Sequence, residues 1–256
     1  VIRISLFACL LICQATIAFA QVKYPRLPKD AVVLEARQLT AAQRQNRMLV
    51  LWMLNPKKNP NNYKSDDPYT CPDETRGSCY SGPTRVSLID SSTSKLINTL
   101  KVLRDYEEPN DEVDLPYAIR KGYYYQVPGR APATMEVKPT IMLLKDYNGD
   151  GKALEFALFD AEACMGLATT LIGYSEKQDR VIQYPLQLEV IENGKHSTTR
   201  NLWADYLMKK DPVKPGYWKY EIDYRGRGGS LDKWEVRYNA EKEWFEGTLT
   251  QLADAP

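Results

Sequence analysis

Beyond residue 20, no apolar run in this chain is longer than a β-strand, and turn-forming residues follow most of them. Residues 48–54, M-L-V-L-W-M-L, are unbroken and stop at Asn55-Pro56. That length and composition predict a buried central strand. Residues 84–102 read as two strands around the turn S-S-T-S at 91–94. T-T-L-I-G-Y (169–174) predicts a further strand, and D-R-V-I-Q-Y-P-L-Q-L-E-V-I (179–191) continues the pattern up to an Asn193-Gly194 hairpin signal. Near the C-terminus, W-K-Y-E-I-D-Y and K-W-E-V-R-Y flank the glycine-rich R-G-R-G-G-S. K-P-T-I-M-L-L-K (138–145), A-L-E-F-A-L-F (153–159) and residues 118–127 are further strand candidates. Two segments suggest short helices: residues 40–47, where Thr40 and Gln43 form a capping-box pattern, and residues 202–208. No period of 40–50 residues repeats. The expected fold class is mainly β, with antiparallel sheets in a sandwich or propeller-like arrangement and one or two short helices.

The first twenty residues differ from the rest. Arg3 precedes an uncharged run from Ile4 to Ala18, and Ala18-Phe19-Ala20 has the small-x-small form of a cleavage site. This combination predicts a signal peptide over 1–20 and a single β-rich domain over 21–256, secreted or periplasmic, with no membrane insertion after signal removal. Arg3 is one of 34 basic residues set against 33 acidic ones, so the two counts are equal beyond the leader. Such a balance offers no basic excess to attract nucleic acid or anionic lipid. A protein or glycan of unspecified identity is the partner class left.

Five cysteines are present, two of them in the leader. Cys71 and Cys79 bracket P-D-E-T-R-G-S, and an oxidising compartment favours a disulfide between them. Zinc is the competing reading of that pair. Cys164 is left over and reads as a small buried hydrophobe.

The strongest chemical signal is D-Y-N-G-D-G-K-A-L-E-F, residues 146–156. Calcium prefers six to eight hard oxygen ligands. Asp146, Asn148 and Asp150 place side-chain oxygens at alternate positions, and Gly149 and Gly151 allow a left-handed backbone. The carbonyl of Lys152 and the carboxylate of Glu155 complete the candidate ligand set. The pattern argues against an EF-hand, whose loop needs a helix on each side and Glu where Ala157 stands. N-G and D-G also form hairpins with no ion at all. Downstream, Leu154, Phe156 and Leu158 alternate with Glu155 and Ala157, as in a half-buried strand.

D-Y-N-G-D-G resembles the calcium loop between strands of FG-GAP or VCBS-type β-propeller repeats, of the integrin-propeller kind, which run D-x-N/D-x-D-G. The hairpin over 84–102 is likewise similar to those of propeller blades. The family usually has another Asp at the ninth loop position, where this chain has Leu154, with Glu155 one step later. The resemblance covers about a dozen residues, occurs once, and implies structural calcium and an adhesion or surface-recognition role.

Catalytic parts are scarce. His196 is the one histidine, set in the turn-like N-G-K-H-S, and neither G-x-S-x-G nor H-E-x-x-H occurs. Carboxylate chemistry needs no histidine, so a carbohydrate-binding or carbohydrate-active domain (glycosidase or lyase) is the alternative function. The acidic run 105–116 and the aromatic cluster Tyr217, Trp218, Tyr220 and Tyr224 bear on it. Alternation of Trp218, Tyr220, Ile222 and Tyr224 is first of all a strand's buried face.

Overall fold

The computed structural model describes residues 27–59, 75–76, 79–103, 123–124, 141–162, 166–226 and 228–253. The leader, Cys71, Cys164, the acidic run 105–116 and most of 118–127 lie outside the described residues, so the expectations attached to them do too. Cys79 is described only in its backbone.

The chain is mainly β. In order the strands are β1 (Ala31–Gln38), β2 (Arg47–Leu54), β3 (Lys57–Asn59), β4 (Thr75–Arg76), β5 (Cys79–Ser81), β6 (Thr84–Asp90), β7 (Lys95–Lys101), β8 (Tyr123–Tyr124), β9 (Glu155–Glu162), β10 (Gly166–Ser175), β11 (Arg180–Gln183), β12 (Leu186–Glu192), β13 (Lys195–Asn201), β14 (Ala204–Asp205), β15 (Tyr217–Asp223), β16 (Leu231–Asn239) and β17 (Trp244–Leu252). Three sheets dominate. An N-terminal meander runs β1-β2-β6-β7, a middle sheet forms around β10 with β9, β11 and β14, and a C-terminal sheet runs β13-β12-β17-β16-β15. All pairings within them are antiparallel except β12 with β17.

The first two sheets close on one core through side chains standing in for backbone. Asn98 on β7 donates through Nδ2 to the Val181 carbonyl and accepts from its N–H, both at 3.0 Å. Gln183 on β11 does the same to Leu103, at 2.8 and 3.0 Å. A side-chain amide has the same donor–acceptor pair as a peptide group, so these two residues bridge edges where no ladder forms. On the opposite side, Glu35 accepts the N–H groups of Ile141 and Met142 at 2.6 and 3.3 Å. Lys145 then makes a single antiparallel bridge to Glu155 at the start of β9. The enclosed core takes Leu49, Leu51 and Met53 from β2, Val86 and Leu88 from β6, Phe156 and Leu158 from β9, and Ile172 and Tyr174 from β10.

The outer face of β9 and β10 meets the C-terminal sheet. Ala157 and Leu171 join Leu186, Leu188, Trp218, Trp234, Val236 and Phe245 in a second core. Where their side chains are described, strands β9 and β10 are thus buried on both sides. The expectation of a half-buried β9 needs correcting: Leu154 and Phe156 face the first core, and Glu155 and Ala157 are buried as well.

Both expected helices are replaced. Residues 40–46 connect β1 to β2 through turns, with Asn46 at φ 64°. The Gln43 N–H, which the Thr40 hydroxyl would accept in a capping box, instead donates to Glu176 at 2.6 Å. In 202–208, β14 is followed by a single 3-10 turn, Leu207–Lys209, the one helical element among the described residues. Residues 141–144 are not a strand, because Glu35 takes the N–H groups of Ile141 and Met142.

The turn between β10 and β11 links several parts. Asp179 accepts from Arg47 Nε and Nη2, each at 2.9 Å, from Arg44, and from the Tyr174 hydroxyl. Ser175 and Gln178 hold Glu243 in the β16–β17 connection. Glu176 binds Gln43 and Lys152.

Candidate functional site

Residues 146–154 form a loop leading into β9, closed at its base by the Lys145–Glu155 bridge. Its side chains turn inward onto its own amides. Asp146 accepts the Gly149 N–H at 2.7 Å and the Gly151 N–H at 3.0 Å. Asn148 Oδ1 accepts from Asp150 N at 2.9 Å, and Asp150 Oδ1 accepts from Lys152 N at 2.8 Å. The Lys152 carbonyl accepts from Leu154 N at 3.1 Å. Loop amides that no strand partner reaches are satisfied in this way.

Gly149 and Gly151 have φ of 82° and 84°, the left-handed region. At Gly149 a second constraint operates. A Cβ there would stand 2.6 Å from the Pro215 carbonyl oxygen, and one on Gly216 would stand 2.6 Å from that of Asn148. The loop therefore lies backbone to backbone against the entry to β15. Tyr147 strengthens that contact, stacked on Trp218 with ring centroids 6.5 Å apart.

Glu155 sits at the back of the loop with no solvent exposure. Its carboxylate accepts the Tyr147 N–H and the Asn148 Nδ2 amide, both at 3.0 Å. Gly173 faces it in register across β10, where a Cβ would fall 2.7 Å from Glu155 Cγ. The missing side chain at 173 is what makes room for the acid. Burial pushes the Glu155 carboxyl up to about 8; the Tyr147 N–H opposes this, and the charges of Asp150 and Asp146 add to it. Burial together with Glu155 pushes the Tyr147 phenol up to about 12. The Lys152 ammonium pairs with Glu176.

Of the five candidate ligands, Asn148 and Glu155 are in direct contact. Asp146 and Asp150 act on Glu155 through space, and Lys152 contributes its carbonyl to Leu154. Among the described residues, no three His, Cys, Asp or Glu side chains gather closely enough to hold a metal ion. The donor chemistry is nevertheless all oxygen, as calcium requires, and the cradle over Gly173 accepts the acid. No family model, curated protein or solved structure matches this chain. The site is therefore read from its own geometry.

Sequence reasoning did not find Gly173, Glu176 or the Pro215–Gly216 contact. All three come from partners distant in sequence, and only the in-register pairing of β9 with β10 brings Gly173 under Glu155.

The other candidate features fall elsewhere in the fold. His196 lies on strand β13, exposed, with Nδ1 2.8 Å from Glu189. Its expected place in a turn is corrected by one step, since the turn is Asn193-Gly194. R-G-R-G-G-S forms the β15–β16 connection, anchored by Tyr224 N donating to the Ser230 carbonyl. Of the aromatic cluster, Trp218 is buried in the second core, whereas Tyr217, Tyr220 and Tyr224 are partly exposed. No helix among the described residues is long and apolar enough to cross a membrane.

Proposed function

We propose that this is a secreted or periplasmic, non-enzymatic β scaffold whose 146–155 loop is a structural calcium site. The ligands are Asp146, Asn148, Asp150, the Lys152 carbonyl and Glu155. The observation that carries this reading is the charge of the site. A buried carboxylate stands beside two aspartates that raise its pKa, while the adjacent lysine is drawn off to Glu176. Only a proton or a cation offsets such an excess, and an oxygen-only donor set suits calcium. Carboxylate oxygens that accept one amide each keep further lone pairs for an ion. Binding draws Asp146 and Asp150 in towards Glu155.

The loop's position gives the ion a mechanical task. Tyr147 belongs to the second core and Leu154 to the first. A cation between them fixes the C-terminal sheet against the N-terminal and middle sheets. The stiffened C-terminal sheet then presents its polar outer face to an adhesion-type protein or glycan partner.

Calorimetric titration of the protein with calcium, beside an Asp146→Ala/Asp150→Ala variant, tests the reading. Saturable heat is expected from the unmodified protein and none from the variant. Equal heats from both, or none from either, overturn it.

A further inference from the structure

The C-terminal sheet ends on an open strand. Hydrogen bonds alternate along β15. The Gly216 carbonyl accepts the Tyr238 N–H and the Tyr224 N–H donates to the Ser230 carbonyl, each at 2.8 Å, so the even-numbered residues serve β16. Odd-numbered residues point away from it. Tyr217 shows this directly, exchanging bonds with Lys214 at 2.9 and 3.4 Å on the free side. Lys219, Glu221 and Asp223 direct their N–H and C=O groups the same way, and among the described residues no strand pairs with β15 there. Such a row of backbone groups is a template for another strand. The sheet's other edge, β13, is guarded: it carries Lys195, His196 and Arg200 and no acid, so two copies of it would set only like charges together. Strand β15 carries both signs. The side chains of Lys219, Glu221 and Asp223 are all exposed, at 68%, 58% and 51%.

We infer that β15 is a homodimer edge, through which two copies of this chain pair antiparallel about a two-fold axis at Glu221. The register follows from which groups are open. An axis at Tyr220 would set Asp223 against Tyr217, whose N–H and C=O are already used by Lys214. One at Ile222 would set Glu221 against Asp223, acid against acid, twice. The axis at Glu221 engages all three outward residues and places Lys219 opposite Asp223 of the second copy at both ends, a favourable cross-strand pair. On the inner side Ile222 meets Tyr220 of the second copy. The two Glu221 carboxylates meet at the axis, each with its own Lys233 at 3.5 Å. Pairing joins two five-stranded sheets into one, with both polar outer faces on the same side. The dimer thus doubles the surface offered to a partner. It is independent of the calcium reading, and either can fail while the other stands.

The test is sedimentation velocity on the protein in chelator, over a concentration range of about 1 μM to 1 mM. A rise from monomer to dimer mass with concentration is expected. Lys219→Asp alone, or Asp223→Lys alone, sets like charges opposite each other at two places and is expected to weaken association about ten-fold. Making both changes exchanges the charges and is expected to restore it. Glu221→Pro removes an outward N–H that β16 does not use, so the monomer keeps its fold and the dimer is lost. A monomer at every concentration overturns the inference. So does a dimer that the single changes and Glu221→Pro leave intact, or a double change no better than the single ones. Far-ultraviolet dichroism checks that each variant is folded.

Discussion

Glu155 is the residue on which the site turns. Its carboxyl holds its proton up to about pH 8 in the folded chain, against an ordinary value of 4.5. The folded state thus binds more protons than the unfolded one between those two values, and stability falls as pH rises through that window. Denaturant midpoints measured in chelator should decline from pH 5 to pH 8 and then level. Glu155→Gln should flatten the slope, and an unchanged slope would show that another group carries it. The seat beneath the acid gives a second prediction. Gly173→Ala places a methyl 2.7 Å from Glu155 Cγ and 3.0 Å from the Leu154 carbonyl oxygen. It should cost about 1–3 kcal/mol of stability in chemical denaturation. The alternation around Glu155 was legible in the sequence, as was the turn chemistry of Asp146, Asn148 and the two glycines. The burial of Glu155 was not, because a polar residue on a strand's second face reads as solvated until a second sheet covers it.

At the scale of elements, the N-terminal and middle sheets are joined by amide side chains, the Arg47–Asp179 ion pair and Glu35. Asn98→Ala strands the Val181 N–H and carbonyl at once, and Gln183→Ala does the same to Leu103. Each should lower stability by about 1–3 kcal/mol. The cost should concentrate on amides of β7 and β11 in hydrogen exchange, whereas uniform loss across all strands would contradict a local seam. Strands that depend on their own pattern were readable: β2 from its continuous apolar run, β6 and β7 around S-S-T-S, and β12 leading to the Asn193-Gly194 hairpin signal. Elements that depend on distant partners were not. The capping-box pattern at Thr40 and Gln43 lost to a connection whose Gln43 N–H finds Glu176 across the molecule. Likewise, the apolar segment 141–145 carries no sign that Glu35 would take two of its amides. The parallel pairing of β12 with β17 joins segments more than fifty residues apart, and local sequence cannot encode it.

At the scale of the whole molecule, two of the three apolar clusters among the described residues share β9 and β10 as a common wall, and the loop at 146–154 bridges them at one end. Gly149→Ala forces a side chain into left-handed backbone and to within 2.6 Å of the Pro215 carbonyl oxygen. It should cost about 1–3 kcal/mol or more and loosen the second core, seen as weakened near-ultraviolet dichroism from Trp218 and Trp234. The central claim is that a cation offsets the charge gathered around Glu155, and it is tested most directly by thermal unfolding with millimolar calcium against chelator, at pH 8 and at pH 5.5. An ion bound only by the folded state raises the midpoint. A proton on Glu155 competes with it. The account predicts a clear rise with calcium at pH 8 and a much smaller one at pH 5.5. Identical midpoints with calcium and with chelator at pH 8 would contradict it.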